Sequence, residues 1–430
     1  MNKFLKTIGE MRLFLILWFT QMLSGLGSAM TAFALVIWSY SFEGSALKTA
    51  LLMVCSYTPY VLFSIFAGAI SDKWNKKKIL LASDTLSAVT TVIVLVLIKT
   101  DALRLYHLYI LNAVSGLMNT IQQPASEVVT TLILPKQHYQ RVGSLRYLSS
   151  SLSSILTPIL AAAVMGLFGM EWVIAFDLFT FVIAFFVLLF LIPVPEIGQD
   201  DRKRETFLES AKTGLAFLKK EKGVFALMLF LACINFVASM YNAAFPAMVL
   251  SRATETEMGA VNAITGATTL IGSIMASFMK TPKSRIRAIW LCLMASMCTE
   301  NLLIAVGRNV YVWCIGAFLG WIFIPLMNSN LDAVMRLRIP SDIQGRVFAA
   351  RNSFQFFTIP LGYLLGGALV DYVFEPFMAK YGHFPILQML FETGKGSGAK
   401  LFFFVLWVLG IVVCLAFRKN RHICKLEEMK

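Results

Sequence analysis

Apolar positions along this chain neither alternate nor form narrow helical stripes. They fall in long unbroken runs separated by short polar stretches. A helix needs about 20 predominantly apolar residues to cross the hydrocarbon core of a bilayer. Twelve runs reach that length, at roughly 13–38, 46–70, 79–98, 105–130, 147–168, 172–192, 224–251, 258–279, 288–306, 311–335, 347–370 and 401–417. In lipid every backbone polar group must be paired within its own segment, so the runs predict helices, not open strands. Pro59, Pro124, Pro158, Pro246, Pro325 and Pro360 lie inside them, which bundles of spanning helices tolerate. The fold class expected is an all-α membrane protein of 12 transmembrane helices.

Composition narrows this further. A chain of 430 residues would suggest two or three domains in a soluble protein. With 58% hydrophobic residues, only 14% charged and 35 phenylalanines, there is too little polar surface to cover an aqueous exterior. Mean hydropathy is +0.72. The first run follows Lys3, Lys6 and Arg12 and is too long for a signal-peptide core, so it is expected to be a retained helix. The net charge of +14 does not point to nucleic acid, because the basic residues form no solvated face with aromatic platforms. It reads instead as an orientation signal. With both termini cytoplasmic, 30 of the 38 Lys and Arg fall on the inner side, which also predicts contact with anionic lipid headgroups. A bacterial plasma membrane is the expected location, and a monomer the expected state.

The longest inner segment, 193–223, begins Pro-rich and ends amphipathic, with Phe207, Leu208, Leu215, Phe217 and Leu218. It predicts a surface-lying linker between a half at 1–192 and a half at 224–430, six spans each. The halves share a repeat. "LPKQHYQRVGSLR" (134–146) and "IPSDIQGRVFAAR" (339–351) both read apolar-Pro-x5-Arg-Val-x3-Arg. One offset of 205 carries Pro135 onto Pro340, Arg141 onto Arg346, Arg146 onto Arg351 and Glu127 onto Asp332. A shift of six spans keeps the topology parallel, and parallel six-helix repeats build a large class of secondary transporters with the site between the halves.

The turn between the second and third spans reads "GAISDKWNKKK" (68–78). Gly68, Asp72, Lys73, Lys76 and Lys77 resemble the signature loop of the major facilitator superfamily, with Asn75 where that family usually has Gly. Asn also tolerates a left-handed turn. The corresponding turn of the second half, "SIMASFMKTPK" (273–283), carries no acid. The resemblance covers nearly the whole chain. It looks nearest the macrolide-efflux branch of bacterial drug exporters, close to the siderophore exporters, on "QQPASEVVTTLILP" (122–135), "SSILTPILAAAV" (153–164) and the loop "DYVFEPFM…LFETGKGSGAK" (371–400). It implies the major facilitator fold, alternating access, a small amphipathic substrate and a proton as coupling ion, with no cofactor. Two departures stand out. No Arg occurs between Arg104 and Arg141, where drug–proton antiporters usually carry one in the fourth span. Their fifth-span glycine pattern is represented only by Ser153, Thr157, Pro158, Ala161 and Ala162. Other cargo on the same fold remains open: a siderophore, a nutrient or a lysolipid.

Ionisable residues inside spans are costly and are functional candidates by default. They are Asp84, Glu127, Asp177, Glu300 and Asp332. In the family fold the third, sixth, ninth and twelfth spans lie away from the cavity, which demotes Asp84, Asp177 and Glu300. Glu127 and Asp332, related by the repeat, are expected to pair with Arg146 and Arg351, with Arg141 and Arg346 beside them, either as an inner gate or as static pairs within each half. Asp72 would join the gate. The polar wall of the cavity is expected from Gln21, Asn112, Gln122, Asn235, Tyr241, Asn242, Trp321 and Asn328.

An enzyme is disfavoured. The histidines (His107, His138, His383, His422) are scattered, and no His-Glu-x-x-His or Gly-x-Ser-x-Gly motif appears. Six of the seven cysteines lie within apolar runs, without metal-type spacing. "GKGSG" (394–398) lacks the spacing of a phosphate-binding loop.

Overall fold

The computed structural model describes residues 2–133, 139–194, 216–279, 282–339, 347 and 356–428. Within these, side chains are described except at 2–9, 65–73, 131, 139–144, 146–147, 336, 424–425 and 427–428. The described apolar runs are helical, and no strand occurs among the described residues. The helices are α1 (Asn2–Glu43), α2 (Ala46–Lys73), α3 (Lys76–Lys99), α4 (Leu105–Ile133), α5 (Tyr139–Phe168), α6 (Met170–Phe186), α7 (Lys222–Leu250), α8 (Glu255–Phe278), α9 (Arg285–Val306), α10 (Val310–Trp321), α11 (Ile324–Arg338), α12 (Thr358–Leu369), α13 (Glu375–Tyr381), α14 (Pro385–Phe391), α15 (Ser397–Arg418) and α16 (Arg421–Glu428).

Ten described segments are long and apolar enough to cross a membrane, with Val310–Met335 counted as one across the α10–α11 junction. Two of the twelve runs read from the sequence are not among these ten. Helix α4 is 29 residues long, but Gln122, Gln123 and Glu127 reduce its apolar character. The run at 347–370 is described as helix only from Thr358, as α12. Large side chains such as Leu167, Phe190 and Phe278 point outward, as lipid-facing positions do.

Helix starts are chemically marked. Thr254 and Glu257 form a reciprocal capping box at α8. Ser284 and Asn309 cap α9 and α10 through their side chains. Asn75 does the same for α3: its backbone is extended (φ −60°, ψ 120°), and its side chain accepts from the Lys78 amide at 3.1 Å. The residue standing in the family's glycine position is thus a helix cap, not the left-handed turn its type allowed. Helix α6 ends in a π-helical turn, Val187–Leu191. Lys77 Nζ donates to the Leu189 and Ile192 carbonyls there, at 2.9 and 2.8 Å. A cation on unpaired carbonyls at a helix C-terminus is favourable.

Two compact units emerge: Met1–Val36 with Cys55–Arg204, and Ile37–Val54 with Glu205–Lys430. The end of α1 and the beginning of α2 therefore pack with the second unit. The predicted surface linker falls mostly on 195–215, outside the described residues. In the first unit α3 packs on α4 and α6, and α5 on α6. Leu26, Met30, Ala34, Ala161 and Val173 form one apolar core there. In the second unit α7 packs on α12 and α15, and α9 on α10 and α15.

Candidate functional site

Each unit holds a cavity that buries a carboxyl among neutral partners. In the second unit a cavity of about 230 Å³ lies between α7, α9, α10 and α11. Leu231, Ile234, Met297, Ile324 and Met327 make its apolar wall; Asn235, Tyr241, Asn242, Asn301, Trp321 and Asn328 supply polar groups. Glu300 lies against it, 7% exposed. Trp321 Nε1 donates to Glu300 Oε1 at 3.0 Å, and the Tyr241 hydroxyl is hydrogen-bonded to the same carboxyl. Tyr241 is itself fixed, stacked on Phe245 and edge-on to Phe403. Space for the carboxyl comes from Gly320, where a Cβ would sit 2.6 Å from Glu300 Oε2. The sequence reading set Glu300 aside as lying away from a cavity between the halves. It lines this cavity within the second unit, where Gly320 leaves room for its carboxyl.

In the first unit a cavity of about 280 Å³ is lined by Gln21, Ser24, Ser28, Ser87, Thr91, Asn119 and Gln122, with Asp84 and Asp177. Gln122 and Gln21 donate to the two oxygens of Asp84 at 2.5 and 3.3 Å. Ser28 and Thr91 donate to the two oxygens of Asp177 at 2.9 and 3.5 Å. A Cβ at Gly27 would be 2.6 Å from Thr180 Oγ1, so α1 and α6 meet closely at this point. Asp177 is only 3% exposed and Asp84 is partly buried.

Of the eight polar positions expected on the cavity wall, Asn235, Tyr241, Asn242, Trp321 and Asn328 come together in the second unit's cavity and Gln21 and Gln122 in the first unit's. Asn112 is half-buried on α4 and lines neither. Glu127 and Asp332 are exposed, on α4 and α11. The side chains of Gly68, Asp72, Lys73, Arg141, Arg146, Arg346 and Arg351 lie outside the described residues, as does the gate built on them. Lys76 is buried and donates to the Trp74 carbonyl at 3.1 Å.

One further constellation was not foreseen. Asp371, just past α12, accepts from Ser45 Oγ at 2.5 Å and from the Ala46 and Leu47 amides at 2.9 Å, capping α2. Glu375 Oε1 accepts from the Ala399 amide at the start of α15, 3.1 Å away. Between them the loop is tied by Glu392, whose Oε2 binds Arg252 at 2.7 Å and the fully buried Lys400 at 2.6 Å. Burial pushes the Glu392 carboxyl up, but Lys400, Arg252 and Arg308 together hold it below its ordinary value. Nothing in the local sequence signals these pairings, which span up to 326 residues.

The chain and its helical fold match known transporters. The model of the Major Facilitator Superfamily matches residues 17–363. Macrolide efflux protein A of Streptococcus pyogenes is 23% identical over 364 residues, covering 83% of this chain and 89% of that protein. The protein of the same name from Enterococcus faecalis is 24% identical over 325 residues, covering 74% and 99%. The multidrug efflux pump Tap of Mycolicibacterium fortuitum is 24% identical over 381 residues, covering 83% and 89%. Among solved structures, the nucleoside transporter NupG superimposes with a TM-score of 0.67 at 12% identity, covering 94% of this chain and 98% of that one. A bacterial homologue of the iron transporter ferroportin, in an inward-facing state, gives 0.67 at 15% identity, covering 95% and 98%. With a family model matched across most of its length and the fold shared with solved members, this multi-pass membrane protein belongs to the Major Facilitator Superfamily and is a transporter, not an enzyme.

Proposed function

We propose that this protein exports an amphipathic, macrolide-like drug across the bacterial plasma membrane, driven by the proton-motive force, through alternating access of twelve spans with both termini cytoplasmic. The observation that carries the reading is the second unit's cavity. Apolar Leu, Ile and Met walls suit a bulky hydrophobic body, and amide and aromatic groups orient its polar edge. The efflux relatives support outward transport. Proton coupling is supported by Asp84, Asp177 and Glu300: a charge inside a bilayer costs about 3 kcal/mol or more, and taking up a proton relieves it. Anionic headgroups would meet Arg287 and Arg418, which line a groove beside Trp290.

The test is accumulation of labelled erythromycin in a susceptible bacterium expressing the chain. Lower accumulation, restored by a protonophore, is the expected result. Unchanged accumulation with the protein present in the membrane removes macrolides as cargo.

A further inference from the structure

Glu300 holds a carboxyl whose partners, among the described residues, are all neutral. Its hydrogen bonds come from Tyr241 and Trp321, and no described cation lies within ion-pair distance. Helix α7 presents Tyr241, and the α10–α11 span presents Trp321 and Gly320. On α9 itself the nearest titratable groups in sequence are Cys298 and Cys292, and α15 sets Cys414 against Cys298. Lys400, also on α15, is paired with Glu392.

A second observation in the same cavity points to a ligand. Asn301 is 3% exposed and lines the cavity, and its side-chain oxygen is buried with no donor among the described residues. Its amide nitrogen is used locally, on the Met297 carbonyl at 3.3 Å. Buried acceptors are rarely left unpaired unless something else visits them. The cavity therefore offers one carboxylate, one unused acceptor and the aromatic side chains of Trp321 and Tyr241 in its lining. That set recognises a cation bearing an N–H on a hydrophobic body: the carboxylate takes the charge, the amide oxygen accepts a hydrogen bond, and the rings favour a cation over their faces.

We infer that the Glu300 carboxyl is the exchange site of this transporter, occupied in turn by the coupling proton and by the ammonium group of a monovalent amphipathic amine. The inference rests on the proton-driven efflux proposed above and names its substrate class. On the cytoplasmic side Glu300 releases its proton to water, and the ammonium takes its place as an ion pair. On the opposite side a proton from the medium binds the carboxylate and frees the amine. Only the carboxyl O–H bond forms and breaks. One proton moves inward for each monovalent cation moved outward, so this exchange carries no net charge.

The test uses the purified full-length protein in lipid nanodiscs with labelled verapamil, a tertiary-amine amphiphile. Binding to the wild type in weakly buffered medium should release about one proton per verapamil on the acid side of the binding profile, where affinity falls about tenfold per pH unit. Glu300→Gln should abolish the release and flatten the profile, while Glu300→Asp should keep both. A Glu171→Gln variant, at an exposed acid that lines neither cavity, should keep the release as well. A Glu300→Gln protein that still releases the proton overturns the inference, as does wild-type binding with no release. A second measurement needs no variant: a hydrophobic carbodiimide, which takes the proton of a protonated carboxyl and is then attacked by its oxygen, should modify Glu300 at low pH, and saturating verapamil should block the adduct. An adduct that verapamil leaves unaffected overturns the inference. The two proposals fail separately. Protonophore-sensitive erythromycin efflux that persists in Glu300→Gln removes Glu300 and leaves the function standing. Glu300-dependent proton release without erythromycin efflux leaves the site and removes the macrolide.

Discussion

Gly320 is the residue on which the position of Glu300 depends. A side chain there would meet Glu300 Cβ and Oε2 at 2.6 Å, so either α10 or the carboxyl must move. Overpacking of this kind typically costs about 1–3 kcal/mol. Gly320→Val is therefore expected to lower the melting temperature and to abolish pH-dependent amine binding. Gly166→Ala, where nothing lies within 4 Å of the added carbon, should leave melting unchanged or slightly raised. Equal losses in both variants would mean that replacing a helical glycine as such, not the room made for Glu300, decides the outcome. Glu300 itself was legible in the sequence as an acid within an apolar run. Its neighbours were not, because Trp321 and Gly320 lie about 20 residues away on another helix, and no periodicity reports contact between helices. The polar residues that share its cavity were easier to recognise, since an amide or an indole inside a span needs a partner whichever helix supplies it.

Carboxylates and one lysine do at helix ends what Ser, Thr and Asn usually do. Asp371 satisfies two amides and a hydroxyl at the start of α2, and Lys77 satisfies two carbonyls at the end of α6. Lys77→Met keeps the apolar stem and removes the donor, so a loss of about 1 kcal/mol is expected in melting experiments. Lys78→Met, at an exposed neighbour, should stay within about 0.5 kcal/mol of the wild type. The Glu392 tether adds a pH dependence whose sign follows from its lowered folded value. Its contribution is fully present above about 4.3, the ordinary glutamate value, and is lost as pH falls through the lower folded value. Melting temperature followed downward through that window should drop less in Glu392→Gln than in the wild type. An equal drop would place the acid sensitivity elsewhere. At this scale the apolar runs gave the existence of the helices directly. The break between α10 and α11 next to Pro325, and the π turns ending α6 and following α12, depend on packing and capping that run length does not encode.

Across the whole molecule, charge and contact carry different information. The asymmetry of Lys and Arg along the chain predicts which ends of the helices face the cytoplasm, and it needs no tertiary structure to be read. The grouping of Ile37–Val54 with the second unit is the opposite case. It rests on Asp371 capping α2 and on Ala50 packing against Ala243 and Tyr363, contacts between residues hundreds of positions apart. A division of the sequence at its charged linker therefore finds two halves but cannot assign this hairpin. Orientation can be tested independently of transport. In a chain whose own cysteines are replaced, Trp172→Cys and Trp74→Cys each place a thiol at an exposed position, one at the α5–α6 turn and one at the α2–α3 turn. Whole cells treated with a membrane-impermeant maleimide should label the cysteine at 172 and spare the one at 74. Labelling of 74 and not 172 would reverse the orientation. It would turn the side from which Glu300 is expected to lose its proton into the side from which it gains one.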